Sequence, residues 1–162
     1  MNRIFVVAII LLTVFLSGCI QSDINNINDM SSSVNSHLKK GDEYFNKSAT
    51  NTNRMAFSQA LTDSQNARDE YSLAQTSAQT ALNSAKNAND GIFIDYTQNA
   101  LLEIQAKINA TSELNTAIKL LQTNQTSSAN VHLLAANNYM ANAMEYKENR
   151  DEIVRQNPTK FK

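Results

Sequence analysis

Residues 53–88 read NRMAFSQALTDSQNARDEYSLAQTSAQTALNSAKNA. Phe57, Ala60, Ser64, Ala67, Tyr71, Ala74, Ala78, Ala81, Ala85 and Ala88 recur at alternating steps of three and four. An α-helix turns once per 3.6 residues, so this spacing lays them along one stripe, as in the a/d seam of a heptad repeat. The stretch predicts a helix over Asn53 to Ala88. Its seam is mostly alanine, which has the highest helix propensity and lets a neighbouring helix approach closely. A methyl group removes little apolar area from water, so the seam is thin. Leu61, Leu73 and Leu82 are expected to add bulk from its flanks. Asn89-Asp90-Gly91 stops the helix, with Gly91 suited to a left-handed cap.

The flanking sequence repeats the pattern. A third helix is predicted over Ile92 to Gln122, with Phe93, Ala100, Leu101, Ile104, Ile108, Thr111, Leu114, Ile118 and Leu121 on one broad face; Leu102 and Glu113 point away. Thr123 to Ser128 reads as a polar loop, and Ser127 or Ser128 can cap the next helix. That fourth helix is predicted over Ala129 to Gln156, ended by Pro158. Leu133, Ala136, Met140, Ala143 and Met144 form one of its stripes. His132, Tyr139, Tyr146 and Ile153 form another at strict sevens. Its charged end, Glu145 to Arg155, is expected to extend past the apolar core.

Before residue 53, Ile20, Ile24, Ile27, Ser31, Val34, Leu38, Gly41 and Phe45 again alternate fours and threes. They predict a first helix over Ser22 to Asn46, with Ser31 and Gly41 as weak points and a polar loop over Lys47 to Asn53. Ser31-Ser32-Ser33 lowers helix propensity, so residues 19–33 read as a tether or as the start of that helix. The fold expected is all-α: an elongated up-down-up-down four-helix bundle over residues 34–157, with a C-terminal tail at 158–162. A longer helical hairpin that dimerises through the alanine seam is the alternative. Gly41, Tyr44, Phe57 and Ala60 fall at tetratricopeptide-like spacings, but the pattern does not recur 34 residues later.

Composition agrees. Three Gly, one Pro and no Trp in 162 residues leave few turns for an all-β fold. Asn occurs twenty-two times and is a weak helix former; no function is read into it.

The start of the chain is different. Arg3 precedes Ile4 to Leu16, thirteen residues with only Thr13 polar, and then Leu16-Ser17-Gly18-Cys19. The apolar run fits a signal-peptide core of about 7–15 residues and is short of the roughly 20 needed to span a bilayer. These first 20 residues resemble the lipobox leader of prokaryotic membrane lipoproteins, bacterial or archaeal. The resemblance implies cleavage between Gly18 and Cys19, removal of residues 1–18, and attachment of palmitate-type acyl chains at Cys19. It places the domain on the outer side of the cell membrane, held by a lipid anchor. A secretory signal with a chance cysteine and an uncleaved signal anchor are the alternatives; each also leaves the domain outside the cytoplasmic membrane.

Without Arg3 the mature chain carries thirteen Lys and Arg against fifteen Asp and Glu. It has no basic block, which argues against nucleic acid as a partner. With Cys19 committed to the anchor, no thiol remains for a disulfide or a metal. His37 and His132 are the only histidines, and neither sits in a Glu-x-x-His or His-x-x-x-His pattern, so no metal site is expected. Asp42-Glu43 and Asp69-Glu70 are adjacent on a helix and do not face each other, and Glu145 with Glu148 and Glu152 reads as a solvated face interleaved with Lys147, Arg150 and Arg155, so no paired-carboxylate catalysis is expected. No phosphate loop or nucleophile elbow is present, and no catalytic residue or cofactor is assigned.

Asn46-Lys47-Ser48, Asn109-Ala110-Thr111 and Asn124-Gln125-Thr126 are glycosylation sequons, Asn109 expected on an outer helix face and Asn46 and Asn124 near loops. Tyr139 and Tyr146 read first as bundle packing. Together with Met140 they are also a candidate interaction stripe, because Tyr is enriched at interfaces and Met adapts to them. The function expected is a non-enzymatic, membrane-anchored interaction or structural module, with a protein partner or self-association through its helix faces. The alternative is a ligand-binding or sensor-like ectodomain with a cavity lined by Tyr71, Tyr96 or Tyr139.

Overall fold

The computed structural model describes Asp29 and residues 31–161. Four helices account for nearly all of them: α1 (31–53), α2 (Phe57–Asn87), α3 (Gly91–Gln122) and α4 (Thr126–Gln156). The chain is an all-α four-helix bundle, and no strand occurs among the described residues. The leader, with Gly18 and Cys19, lies outside the described residues.

Cross-helix pairs fix the directions. Ser33 and Ser77, His37 and Glu70, and Ser48 and Ala60 pair across α1 and α2, the numbers rising on one helix as they fall on the other. Gln75 with Gln105 and Ser64 with Asn115 do the same for α2 and α3. Glu113 with His132 and Glu103 with Arg150 do so for α3 and α4. Consecutive helices are therefore antiparallel. At 1.5 Å per residue, each of the last three is about 46 Å long.

Three equal loops make this possible. Each is three residues long, and its middle residue is left-handed: Met55 (φ 58°), Asn89 (φ 50°) and Asn124 (φ 58°). The N–H after each reaches back five residues, Ala56 to Asn51, Asp90 to Ala85 and Gln125 to Leu120, at 2.9–3.0 Å. This is a Schellman closure, which satisfies carbonyls orphaned at a helix end. The left-handed residue before α3 is thus Asn89, not the expected Gly91. Gly91 opens α3, and Asp90 caps it by accepting from the Ile92 and Phe93 N–H groups at 3.1 and 3.3 Å. Before α4 neither Ser127 nor Ser128 caps, because the helix already starts at Thr126, after Gln125.

The first loop is shorter than expected, because α1 continues through the polar stretch 47–53. The seam itself continues as Ser48 and Thr52, both buried. Ser48 Oγ donates to the Ala60 carbonyl at 2.8 Å, and Thr52 Oγ1 donates to the Ser48 carbonyl at 2.8 Å. Hydroxyls with partners can occupy a seam that bare polar groups cannot. The Ser31-Ser32-Ser33 run is also helical.

The α2 seam is buried as its spacing predicts, from Ala60 through Tyr71 to Ala85, with Leu82 beside it. Leu73 instead faces solvent. Val34, Leu38 and Phe45 of α1, Ile104, Leu114 and Ile118 of α3 and Ala136 of α4 complete the core. At its fully buried centre Tyr71 lies against Gly41, where a β-carbon would come within 2.4 Å of the ring. Gly41 is therefore a point of close approach rather than a weak point. Met144, expected in the α4 core stripe, is exposed.

Candidate functional site

A chain of charged side chains crosses the bundle from α1 to α4. Asp42 of α1 accepts from Tyr71 Oη of α2 at 2.8 Å and from Lys107 Nζ of α3 at 2.6 and 2.7 Å. Lys107 Nζ lies 3.5 Å from Glu103 one turn away, and Glu103 Oε2 lies 3.3 Å from Arg150 Nη2 of α4. Lys107 and Arg150 also stand over the rings of Tyr71 and Tyr96, at 5.8 and 5.4 Å. Glu103 is 1% exposed and Arg150 5%.

Local sequence places these charges inside. Tyr96, Ala100, Glu103, Lys107, Ala110, Leu114 and Ala117 alternate fours and threes along α3, and all are buried. Ala129, Ala136, Ala143 and Arg150 fall at strict sevens along α4, and are also buried. The same periodicity that marks the alanines marks the charges. Arg150 thus does not run past the core as expected; the guanidinium is drawn into it by Glu103 and Tyr96.

Burial pushes the Glu103 carboxyl above its ordinary range, while Arg150 and Lys107 pull it back and Asp42 pushes it further up. Burial, then the charge and hydrogen bond of Asp42, push the Tyr71 phenol far up, so Tyr71 stays a proton donor. The bonding of this network is incomplete. Glu103 Oε2 and Arg150 Nε and Nη1 are buried without a hydrogen-bond partner. A groove of about 400 Å³ between α1 and α4 reaches both side chains.

The C-terminal tail closes one end of the bundle. Phe161 packs against Phe93 and Tyr96 at ring-centroid distances of 5.0 and 4.9 Å, and Lys160 pairs with Asp90. Burial alone would push the Asp90 carboxyl up. Hydrogen bonds from Lys160 and from the Phe93 and Ile92 amides outweigh that and hold it below its ordinary value. Through Tyr96 this clasp touches the Arg150 guanidinium.

The histidines serve pairing between helices: His37 Nδ1 lies 2.6 Å from Glu70 Oε2, and His132 Nδ1 lies 2.6 Å from Glu113 Oε2. Glu113 therefore leans toward α4 instead of pointing away. The acidic neighbours separate as helix geometry requires. Asp42 enters the network while Glu43 is exposed; Glu70 meets His37 while Asp69 accepts from Gln65 on the surface; Glu152 pairs with Arg155. Among the described residues no group of three His, Cys, Asp or Glu could hold a metal ion, and no helix is long and apolar enough to cross a membrane.

Of the candidate stripe, Tyr139 and Met140 pack against the core, and Tyr146 is half-buried. The exposed apolar side chains of α4 are Val131 (66%), Leu134 (62%) and Met144 (63%), with Ala141 exposed between them. At about 100° per residue, Leu134 and Ala141 lie within about 80° of Val131 on the outward side, while Met144 stands about 140° round from it, with the exposed Asn137 and Asn138 between. The sequence carries that signal, but apolar residues at helical spacing read as core. The groove at Glu103 and Arg150 is lined by residues other than the tyrosines expected for a cavity.

The sequons differ in access. Asn46 lies inside α1 rather than near a loop, and the hydroxyl of its Ser48 is buried. Asn109 accepts from Gln105, and its Thr111 is buried. Only Asn124 presents all three sequon residues at the surface. A comparison of the chain with protein-family models, curated proteins and solved structures finds no match.

Proposed function

We propose that the protein is a lipoprotein anchored by Cys19 on the outer side of the cell membrane, a non-enzymatic helical module that binds a partner protein at that surface. The observation that supports this reading is the unpartnered apolar face of α4 formed by Val131, Leu134 and Met144. Large apolar side chains exposed along one helix mark where a partner would remove them from water. Eleven residues separate Cys19 from Ser31 and span at most about 40 Å. A bundle held that close to the bilayer meets proteins of the same membrane surface, and one of these is the partner that covers the face.

A photo-cross-linking residue at Val131 or Leu134 tests this on intact cells. The expected result is one discrete adduct, abolished by Leu134→Asp in a variant that stays helical, and lost with membrane attachment in Cys19→Ser. An adduct pattern that ignores both substitutions overturns the reading. A second reading, a ligand-binding ectodomain, is favoured by the groove of about 400 Å³ between α1 and α4, whose lining includes Glu103 and Arg150.

A further inference from the structure

We infer that the protein pairs with a second copy of itself through the uncharged face of α2 and α3, in a parallel two-fold arrangement that sets Leu102 of each copy into a groove of the other. This face lies on other helices than Val131 and Leu134, and its pairing needs no membrane.

Charge is missing from one side of the bundle. No Asp, Glu, Lys or Arg occurs from Tyr71 to Ala85 of α2. From Tyr96 to Ser112 of α3 the only charged residues are Glu103 and Lys107, and both are buried. Between these stretches runs a groove of about 480 Å³, lined by Gln75, Gln79, Gln98, Leu101, Leu102 and Gln105. Leu102 is 48% exposed on its wall. The groove between α1 and α4, by contrast, is lined by Lys39, Asp42, Glu43 and Lys147. Depletion of charge, more than apolar area, marks the centre of a protein interface.

The same feature selects the partner. A two-fold contact sets a surface against its own copy, so any charge on it tends to meet its like. An uncharged centre escapes that cost, and a glutamine amide both donates and accepts, so it can pair with its own kind.

Register decides the direction. Gln75 Nε2 donates to Gln105 Oε1 at 3.2 Å across the antiparallel helices. Counting from that pair puts Leu102 level with Ala78, and Lys86 nearly level with Asp95. In a parallel two-fold pair, α2 of one copy lies against α3 of the other at equal height. Leu102 then enters between the copy's Gln75 and Gln79, one turn apart, as a knob enters a hole. Lys86 meets the copy's Asp95 at the rim. Both are exposed, and neither has an ion-pair partner among the described residues. An antiparallel pair would instead set α2 on α2 and bring Lys86 to the copy's Arg68, like on like.

Sedimentation equilibrium of the full chain in detergent tests this at roughly 1–100 μM, under reducing conditions so that Cys19 cannot link copies. A monomer–dimer equilibrium is expected. Leu102→Arg should weaken it at least about tenfold in a variant of unchanged helicity. Leu134→Asp should leave it unchanged, which separates this face from the partner face of α4. Lys86→Asp should weaken pairing severalfold, and adding Asp95→Lys should restore it; both side chains are exposed, so folding is not at stake. A monomer throughout overturns the proposal, as does a dimer indifferent to Leu102→Arg. A dimer broken by Leu134→Asp places the pairing on α4 and overturns it too. A dimer that Lys86→Asp strengthens overturns the parallel arrangement.

Discussion

The α2 seam and the α3–α4 seam obey one periodicity and differ in what fills it. Along α2 the buried positions are mostly alanines around a single Tyr71, and the neighbouring helix comes close enough at Gly41 to leave no room for a methyl group. Along α3 and α4 the same kind of position holds Glu103, Lys107 and Arg150. The first seam is held by close apolar contact, the second by charges that must compensate one another. Alanine at a seam position is neutral to its surroundings, whereas a buried ion depends on partners from other helices. The two seams should therefore fail in different ways.

The largest effect is expected on the charged side. Arg150→Met leaves Glu103 buried with only Lys107 near it and should cost about 3–5 kcal/mol in denaturant unfolding. The pH dependence has a definite sign. Glu103 is raised in the fold, so its contribution to stability is fully present below the ordinary Glu value and is lost as pH rises through the raised value. Removing Arg150 raises it further, so the penalty of Arg150→Met should shrink on acidification.

On the close-packed side, Gly41→Ala gains about 1 kcal/mol of helix propensity but drives a methyl group into a ring that Asp42 holds in place. Because the held ring cannot yield, overpacking falls in the upper part of its range of about 1–3 kcal/mol, and a net loss of about 1–2 kcal/mol is expected from the unfolding midpoint. A wild-type midpoint would mean the two helices can part freely there.

Asp90→Ala removes a cap and the partner of Lys160 and should cost about 1 kcal/mol near neutrality. Asp90 is depressed in the fold, so its contribution is present above the ordinary Asp value and lost as pH falls through the depressed one, opposite to Glu103. The smallest effect should be a gain. Met55 is 77% exposed and left-handed where Asn89 and Asn124 serve the other loops. Met55→Gly should stabilise by about 0.5 kcal/mol, the relief of a left-handed side chain less the extra chain entropy of glycine.

The bundle is legible in the sequence because its seams are long and their period is unbroken. From Phe57 to Ala85 the stripe is buried as its spacing predicts, save for the half-exposed Phe57 at its start. Helix ends are less legible. Ser48 and Thr52 look like a loop because a hydroxyl's partner on another helix leaves no mark in the local sequence. Gly91 draws the left-handed assignment that Asn89 takes, since both residue types tolerate it and the position is set by the carbonyl at Ala85. The charged network is written in the seven-residue spacing of Ala129, Ala136, Ala143 and Arg150. It is easily passed over because a charge is ordinarily a sign of solvent, and only the pairing across helices reverses that sign. The apolar face of α4 misleads for the opposite reason: Met144 at helical spacing looks like core.

A double-mutant cycle on Glu103→Leu and Arg150→Met tests the buried charge seam most directly. Each single variant should lose about 3–5 kcal/mol, whereas the double variant, with both charges gone and the volume filled, should lose at least about 1.5 kcal/mol less than the sum of the two. Simple additivity of the two substitutions would mean that Glu103 and Arg150 do not meet, and would contradict the seam.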